Sequence, residues 1–150
     1  MCAIFYNTGN QNSTNIVFLN KNNIMPFVNI YLPVRFTSKV KKDISVSVHE
    51  SLMAIFNVPK NDYFHVIHKV EPEDLIFPDS YLDITHTNNF IYVHITCSVG
   101  RTVEMKKALY AAIAQKISGR TAINIADVFI VISETALANW SFGNGIAQMI

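Results

Sequence analysis

The chain has 150 residues, about one domain, and a chain of this size buries roughly 68–70% of its unfolded surface without a staple. Half of its residues are hydrophobic and 15% are charged, with mean hydropathy +0.23, which excludes disorder for most of the chain and points to self-association. Twelve basic against eleven acidic residues leave a formal charge of +1, so there is no basic footprint for nucleic acid.

Residues 1–25 contain seven asparagines and one charged residue, Lys21. The apolar pieces Ala3–Tyr6 and Ile16–Leu19 are too short for a signal peptide, and no arginine precedes Arg35, as a transit peptide would require. Two readings stay open for this stretch: a disordered leader, or a start site that belongs at Met25.

From Phe27 the pattern becomes regular. Phe27–Leu32 alternates as a strand, with Val28, Ile30 and Leu32 on one face and Phe27, Asn29 and Tyr31 on the other. Ser38–Phe56 carries Val40, Ile44, Val48, Leu52, Ile55 and Phe56 as one helical stripe. Thr37 or Ser38 can cap its start, and Asn57-Val58-Pro59 ends it. Tyr63–Val70 is a second strand, so residues 27–70 read β-α-β. Residues 90–133 repeat the order: a strand Phe90–Ile95, a helix from about Thr102 to Ile117, and a strand Val128–Ser133. Asn61–Ile67 aligns with Ala126–Ile132 at four of seven positions.

The short β-α-β connections imply parallel pairs and right-handed crossovers. The expected fold is α+β: a duplicated β-α-β unit forming a four-stranded sheet with two helices on one face. The other face, with Phe27, Tyr31, Phe90 and Tyr92, has no cover from its own chain in this reading and calls for a partner subunit.

Few residues look chemical. Two cysteines, Cys2 and Cys97, exclude a disulfide framework and a four-ligand zinc site and read as free thiols of a reducing compartment. His65 and His68 fall on opposite faces of a strand, and no HExxH or CxxC spacing exists, so no metal is expected. The longest apolar run, Ala108–Ala114, is far short of a membrane span. Gly143-Asn144-Gly145 follows Phe142 rather than a strand and lacks the lysine of a phosphate loop. Pro26 before the first strand, Asp62 before the second, its repeat counterpart Asp127, and Arg101 between the third strand and the second helix remain. Asp127 reads as a turn residue.

Met25-Pro-Phe-Val-Asn-Ile30 and Gly100-Arg-Thr-Val-Glu-Met-Lys-Lys-Ala-Leu-Tyr110 resemble the tautomerase superfamily, the amino-terminal proline enzymes related to 4-oxalocrotonate tautomerase. Val58–Val66 and Asn139-Trp-Ser-Phe-Gly-Asn-Gly-Ile-Ala-Gln148 resemble its malonate semialdehyde decarboxylase-like branch. The match spans Pro26 to Gln148, which makes 26–150 one tautomerase-like domain: two repeats, about 27–70 and 90–133, plus a C-terminal segment. The resemblance implies a homotrimer and no cofactor. It makes Pro26 the proton-shuttling amine, Asp62 an assisting carboxylate, Arg101 the clamp on the substrate carboxylate, and Trp140 and Phe142 the apolar wall. The place of the family's first arginine falls at Ser98 or Val99, neither cationic, which weighs against decarboxylation more than against tautomerisation.

The expectation is a cytoplasmic tautomerase moving a proton between keto and enol forms of a small 2-oxo acid, with no partner but itself. Two alternatives stand beside it. One is a malonate semialdehyde decarboxylase- or hydratase-like lyase, with the proline working as an acid. The other is a non-catalytic, ligand-binding oligomeric module, which the periodicity alone also allows.

Overall fold

The computed structural model describes residues 26–150; the asparagine-rich stretch 1–25 and its Cys2 lie outside the described residues. In chain order the elements are β1 (Phe27–Pro33), α1 (Ser38–Phe56), β2 (Phe64–Val70), β3 (Ser80–Tyr81), β4 (Ile84–Thr85), β5 (Ile91–Ser98), α2 (Val103–Arg120) and β6 (Val128–Thr135). The main sheet has the order β2-β1-β5-β6. Its outer pairs are parallel and its central pair, β1 with β5, is antiparallel.

The duplicated unit is therefore present. The two copies meet back to back at the central pair, where Ile30 pairs with Val93 and Val28 with Ile95. Their alternating aliphatic faces lie under both helices. Val28, Ile30, Leu32, Ile91, Val93 and Ile95 join Ile44, Val48, Leu52 and Phe56 of α1 and Leu109, Ile113 and Ile117 of α2 in one buried cluster. Burying each such side chain contributes about 1.5–3 kcal/mol, so this layer dominates the fold's stability. Glu50 links the helices, accepting from Lys116 at 3.2 Å and Arg120 at 2.7 Å. No helix among the described residues is long and apolar enough to cross a membrane.

Both helices begin in the same way. Thr37 accepts from the Val40 amide and Thr102 from the Met105 amide, each satisfying one otherwise unpaired N–H of a first turn. Helix α1 stops where Asn57 turns left-handed at φ 54°, just ahead of Pro59. Helix α2 runs on to Arg120, past the expected end at Ile117.

Two expectations need correction. The sheet face opposite the helices is covered in part by its own chain. The segment after β2 carries a small hairpin, β3 with β4, turning through Leu82 and Asp83 at positive φ. It brings Phe77 and His86 onto Phe90, whose ring stacks on Phe77 at 4.5 Å and is 2% exposed. The Tyr92 hydroxyl donates to the Ile76 carbonyl at 2.8 Å. What stays open is the face's other part, with Phe64 48% and Phe129 44% exposed beside Val66 and Val131. Asp127 is also more than a turn residue. It is fully buried, and its carboxylate accepts from the Thr87 amide at 2.6 Å and the Thr87 hydroxyl at 2.7 Å.

Candidate active site

The sheet register brings the sequence candidates to one end. Phe27 pairs with Phe64 of β2 and with Thr96 of β5. One step earlier, Pro26 lies between the positions of Tyr63 and Cys97. Asp62 stands just before β2, and Arg101 follows β5 across Val99 and Gly100. Pro26 is buried and Asp62 half-buried. No hydrogen bond or ion pair joins Asp62 to Arg101 among the described residues, so the two are free to face a third group.

Arg101 is held by everything except its charge. Gly100 turns at φ +115°, a conformation side chains resist, which swings the chain from β5 into the cap of α2. The Arg101 amide donates to Glu134 Oε1 at 3.1 Å. The other oxygen of Glu134 meets Lys106 at 2.6 Å, and that ammonium is the main reason its carboxyl sits below the usual range. The nearby acid is thus engaged elsewhere. The guanidinium lies over the Phe56 ring, Cζ 5.0 Å from its centroid. Arg101 is only 7% exposed, yet its Nε and Nη2 are buried with no partner among the described residues. A buried charge without an acceptor is costly, and a planar fork matches a bound carboxylate.

Ser98 Oγ and Trp140 Nε1 are also buried without partners among the described residues. Both belong to this end. Ser98 closes β5 opposite Thr135 of β6, and Trp140 follows β6 by a short 3-10 turn. Trp140 stacks on Phe142 at 5.7 Å, and Phe142 reaches back to Phe64 at 6.4 Å. Gln148 closes that loop, accepting from the Phe142 amide at 3.0 Å and donating to the Gly143 carbonyl at 2.8 Å. The expected wall of Trp140 and Phe142 therefore stands beside the start of β2.

Around Asp62, burial pushes the carboxyl above its ordinary range, and the charge interaction with His49 opposes that. Half-buried His65 is lowered to about 4, chiefly by desolvation and secondarily by His49. The Cys97 thiol, next to Pro26 in the register, is buried in the core cluster and pushed up by that burial. A recess of about 350 Å3 on the open sheet face, lined by Tyr31, Val70, Tyr92 and Phe129 among others, touches none of Pro26, Asp62 or Arg101. Glu134 was not legible as a site residue. Its signal is only positional, an acid near the end of the last strand, paired across the sheet with Cys97.

The sequence matches two models of the family described as "Tautomerase enzyme", one over residues 26–83 and one over residues 62–143. It is 40% identical over 126 residues to the probable tautomerase YusQ of Bacillus subtilis (strain 168), covering 84% of this chain and 99% of that protein. Among solved structures it is similar to the FG41 malonate semialdehyde decarboxylase inhibited by 3-bromopropiolate, with TM-score 0.76 and 30% identity over 81% of this chain and 92% of that one. A fused 4-OT symmetric trimer shares the fold at TM-score 0.68 and 19% identity, covering 82% of this chain and 96% of that one.

Proposed function

The chain belongs to the tautomerase family, in its malonate semialdehyde decarboxylase-like branch, and is an isomerase of tautomerase type; we propose that it catalyses keto–enol proton transfer on a small 2-oxo acid, without a cofactor. The observation that carries this is the buried guanidinium of Arg101, whose Nε and Nη2 have no partner among the described residues, at the sheet end where β1 follows Pro26. It suits an anion small enough to enter a closed site and leave a reacting carbon near that strand end.

In this reading residue 26 is the amino terminus of the working form. An ordinary free α-amino group is unperturbed at about 7.7–8.0, and burial beside a cation moves the amine of an amino-terminal proline lower, toward the operating pH. Pro26 nitrogen takes the proton from the enol O–H as the C–O bond becomes C=O, and returns it to the neighbouring carbon, where the electron pair of the former C=C bond forms the new C–H. Arg101 binds the carboxylate in two places and stabilises negative charge as the enolate forms. Asp62 assists at the same end, and Trp140 and Phe142 enclose the apolar part of the substrate. The family match that begins at residue 26 supports this start. An internal proline is a tertiary amide with no proton to move. A chain begun at Met25 and trimmed to Pro26 is therefore expected to tautomerise phenylenolpyruvate at least about a hundredfold faster than the 150-residue chain with its leader intact by mass. Equal rates would remove Pro26 from the chemistry.

The second reading is a decarboxylase or hydratase of a 3-oxo acid. It is favoured by the likeness to the FG41 decarboxylase and by an Asp62 carboxyl that burial biases toward its protonated form. Turnover of malonate semialdehyde in place of the enol would select it. The protein is read as cytoplasmic and as a homotrimer. The apolar strip of Phe64, Val66, Phe129 and Val131 left open on the sheet supports self-association, and the likeness to a trimeric fused 4-OT supports its number. A monomer in sedimentation at micromolar concentration would overturn the assembly.

A further inference from the structure

We propose that His49 is the positioning residue of Asp62, holding the loop that presents this carboxylate to the substrate. The inference rests on the reading of Asp62 as a working group and goes beyond it to the side chain that sets its place.

His49 projects from α1 and touches the chain on both sides of Asp62. Its Nε2 lies 2.9 Å from the Lys60 carbonyl, and since a carbonyl only accepts, this nitrogen carries the proton and donates. Its ring packs on Tyr63, centroids 5.0 Å apart. Between those two anchors stand only Asn61 and Asp62. The segment has little else to fix it. Its own backbone supplies one turn, from the Asp62 amide to the Pro59 carbonyl at 3.0 Å, and no side-chain bond to the Asp62 carboxylate exists among the described residues. Tyr63 is 58% exposed and holds nothing down by burial.

The ring of His49 is itself held. It meets His65 edge-on at 6.1 Å, and His65 is tied to α1 through Ser45, Nδ1 to Oγ 2.8 Å. The loop is thereby referenced to α1 and β2, and α1 also carries Phe56 under Arg101. His49 Nδ1 is buried without a partner among the described residues, so Lys60 is the ring's single polar anchor. The second repeat also sets a histidine on the backbone beside its aspartate, with His86 Nδ1 2.9 Å from the Ala126 carbonyl, but does not leave the carboxylate itself unbonded. There Asp127 is fixed by direct bonds to its own carboxylate. A carboxylate that must stay available to a substrate is instead fixed through its backbone.

The test is a two-residue cycle in the active form, assayed with phenylenolpyruvate. His49→Phe keeps the ring against Tyr63 and removes the donor; His49→Gln keeps a donor. His49→Phe is expected to lower kcat about tenfold with KM within twofold, the scale of a misplaced group, and His49→Gln to recover within about threefold of wild type. On an Asp62→Asn background, His49→Phe should add no more than a twofold loss, because the residue it positions is already gone. Normal kcat in His49→Phe while Asp62→Asn is impaired would overturn the proposal, as would two losses that multiply. A wild-type rate in Asp62→Asn would instead overturn the reading of Asp62 itself, and this inference with it.

Discussion

The two ends of the sheet are built from the same parts and finished differently. The duplication places Asp62 and Asp127 at equivalent strand starts, Thr37 and Thr102 at equivalent helix caps, and an arginine just ahead of each cap, Arg35 and Arg101. At the far end the counterparts of the site residues are bonded within the chain. Asp127 accepts twice from Thr87, and Arg35 Nη2 donates to the Asn88 carbonyl at 2.5 Å and to Asn89 Oδ1 at 2.8 Å. Asn89 stands where the repeat would put Pro26, and the Phe77–Phe90 stack plugs the apolar space. At the near end the corresponding groups, Arg101, Ser98 and Trp140, are buried but unpaired among the described residues. The difference is whether the donors have been answered from within the chain, and a site is the end where they have not.

The largest expected effect breaks that symmetry directly. Arg101→Ala should lower kcat/KM for a 2-oxo acid by the equivalent of about 2–5 kcal/mol, the loss of a charge-assisted contact to a buried partner. Arg35→Ala, in the closed and more exposed position, should leave kcat/KM within twofold. Steady-state kinetics of the two variants side by side checks the contrast; a similar loss in both would mean the ends are not functionally distinct.

Asp127→Ala should be a stability lesion rather than a kinetic one. It removes a charged acceptor from two hydrogen bonds, each worth about 1.5–3 kcal/mol, and leaves the donors of exposed Thr87 to water. Urea denaturation should show the midpoint falling while kcat per folded molecule holds. Asp62→Asn should give the reverse, with stability near wild type and turnover impaired.

These pairs also show what was legible in the amino-acid order. The β-α-β repeat, both helix starts and the aliphatic face were readable, because periods of two and near four report which side of an element is buried. Helix α1 is observed over the same span as its stripe, Ser38–Phe56. Pro26, Asp62 and Arg101 stood out by position and took roles only through motif resemblance, Trp140 and Phe142 were readable through resemblance alone, and the fold brings all five to one end. The burial of Asp127 was not readable. It depends on Thr87, 40 residues away on a segment with no periodicity, and a buried aspartate and a turn aspartate look alike in a string. The cover over Phe90 was missed for the same reason. The hairpin turn Leu82-Asp83 carries neither glycine nor proline, so nothing announced a segment folding back onto the sheet.

A pH test sharpens the comparison at a third pair. His65 in the first repeat corresponds to Ile130 in the second. Burial lowers His65 in the folded protein to about 4 from an ordinary 6.5. Between those values the unfolded chain holds a proton that the folded chain rejects. The group's share of stability is therefore fully present above about pH 6.5 and is lost as pH falls toward 4. His65→Ile, which copies the second repeat, should flatten that part of the stability–pH curve. Thermal unfolding from pH 4 to 7 measures it, and an unchanged slope would mean that His65 does not carry the proton.

The smallest effect concerns the aromatic plugs. Trp140 and Phe142 stack as Phe77 and Phe90 do, but the near pair reaches only Phe64, at 6.4 Å, whereas Phe90 also packs on His86 and Tyr92 at 4.6 and 5.0 Å. The far pair is therefore a structural plug and the near pair a wall with one side free. Trp140→Phe keeps most of that wall and removes one buried N–H. If the indole meets an oxygen of the substrate, its loss is worth about 0.5–1.5 kcal/mol, the net value of a neutral hydrogen bond. That is a rise in KM of roughly two- to tenfold, with the melting temperature unchanged. Phe77→Leu should do the opposite, lowering the melting temperature and leaving KM alone. A Trp140→Phe variant with wild-type KM and raised stability would show that the indole nitrogen is simply a buried group without a partner, and that the open end is narrower than the row of unpaired donors suggests.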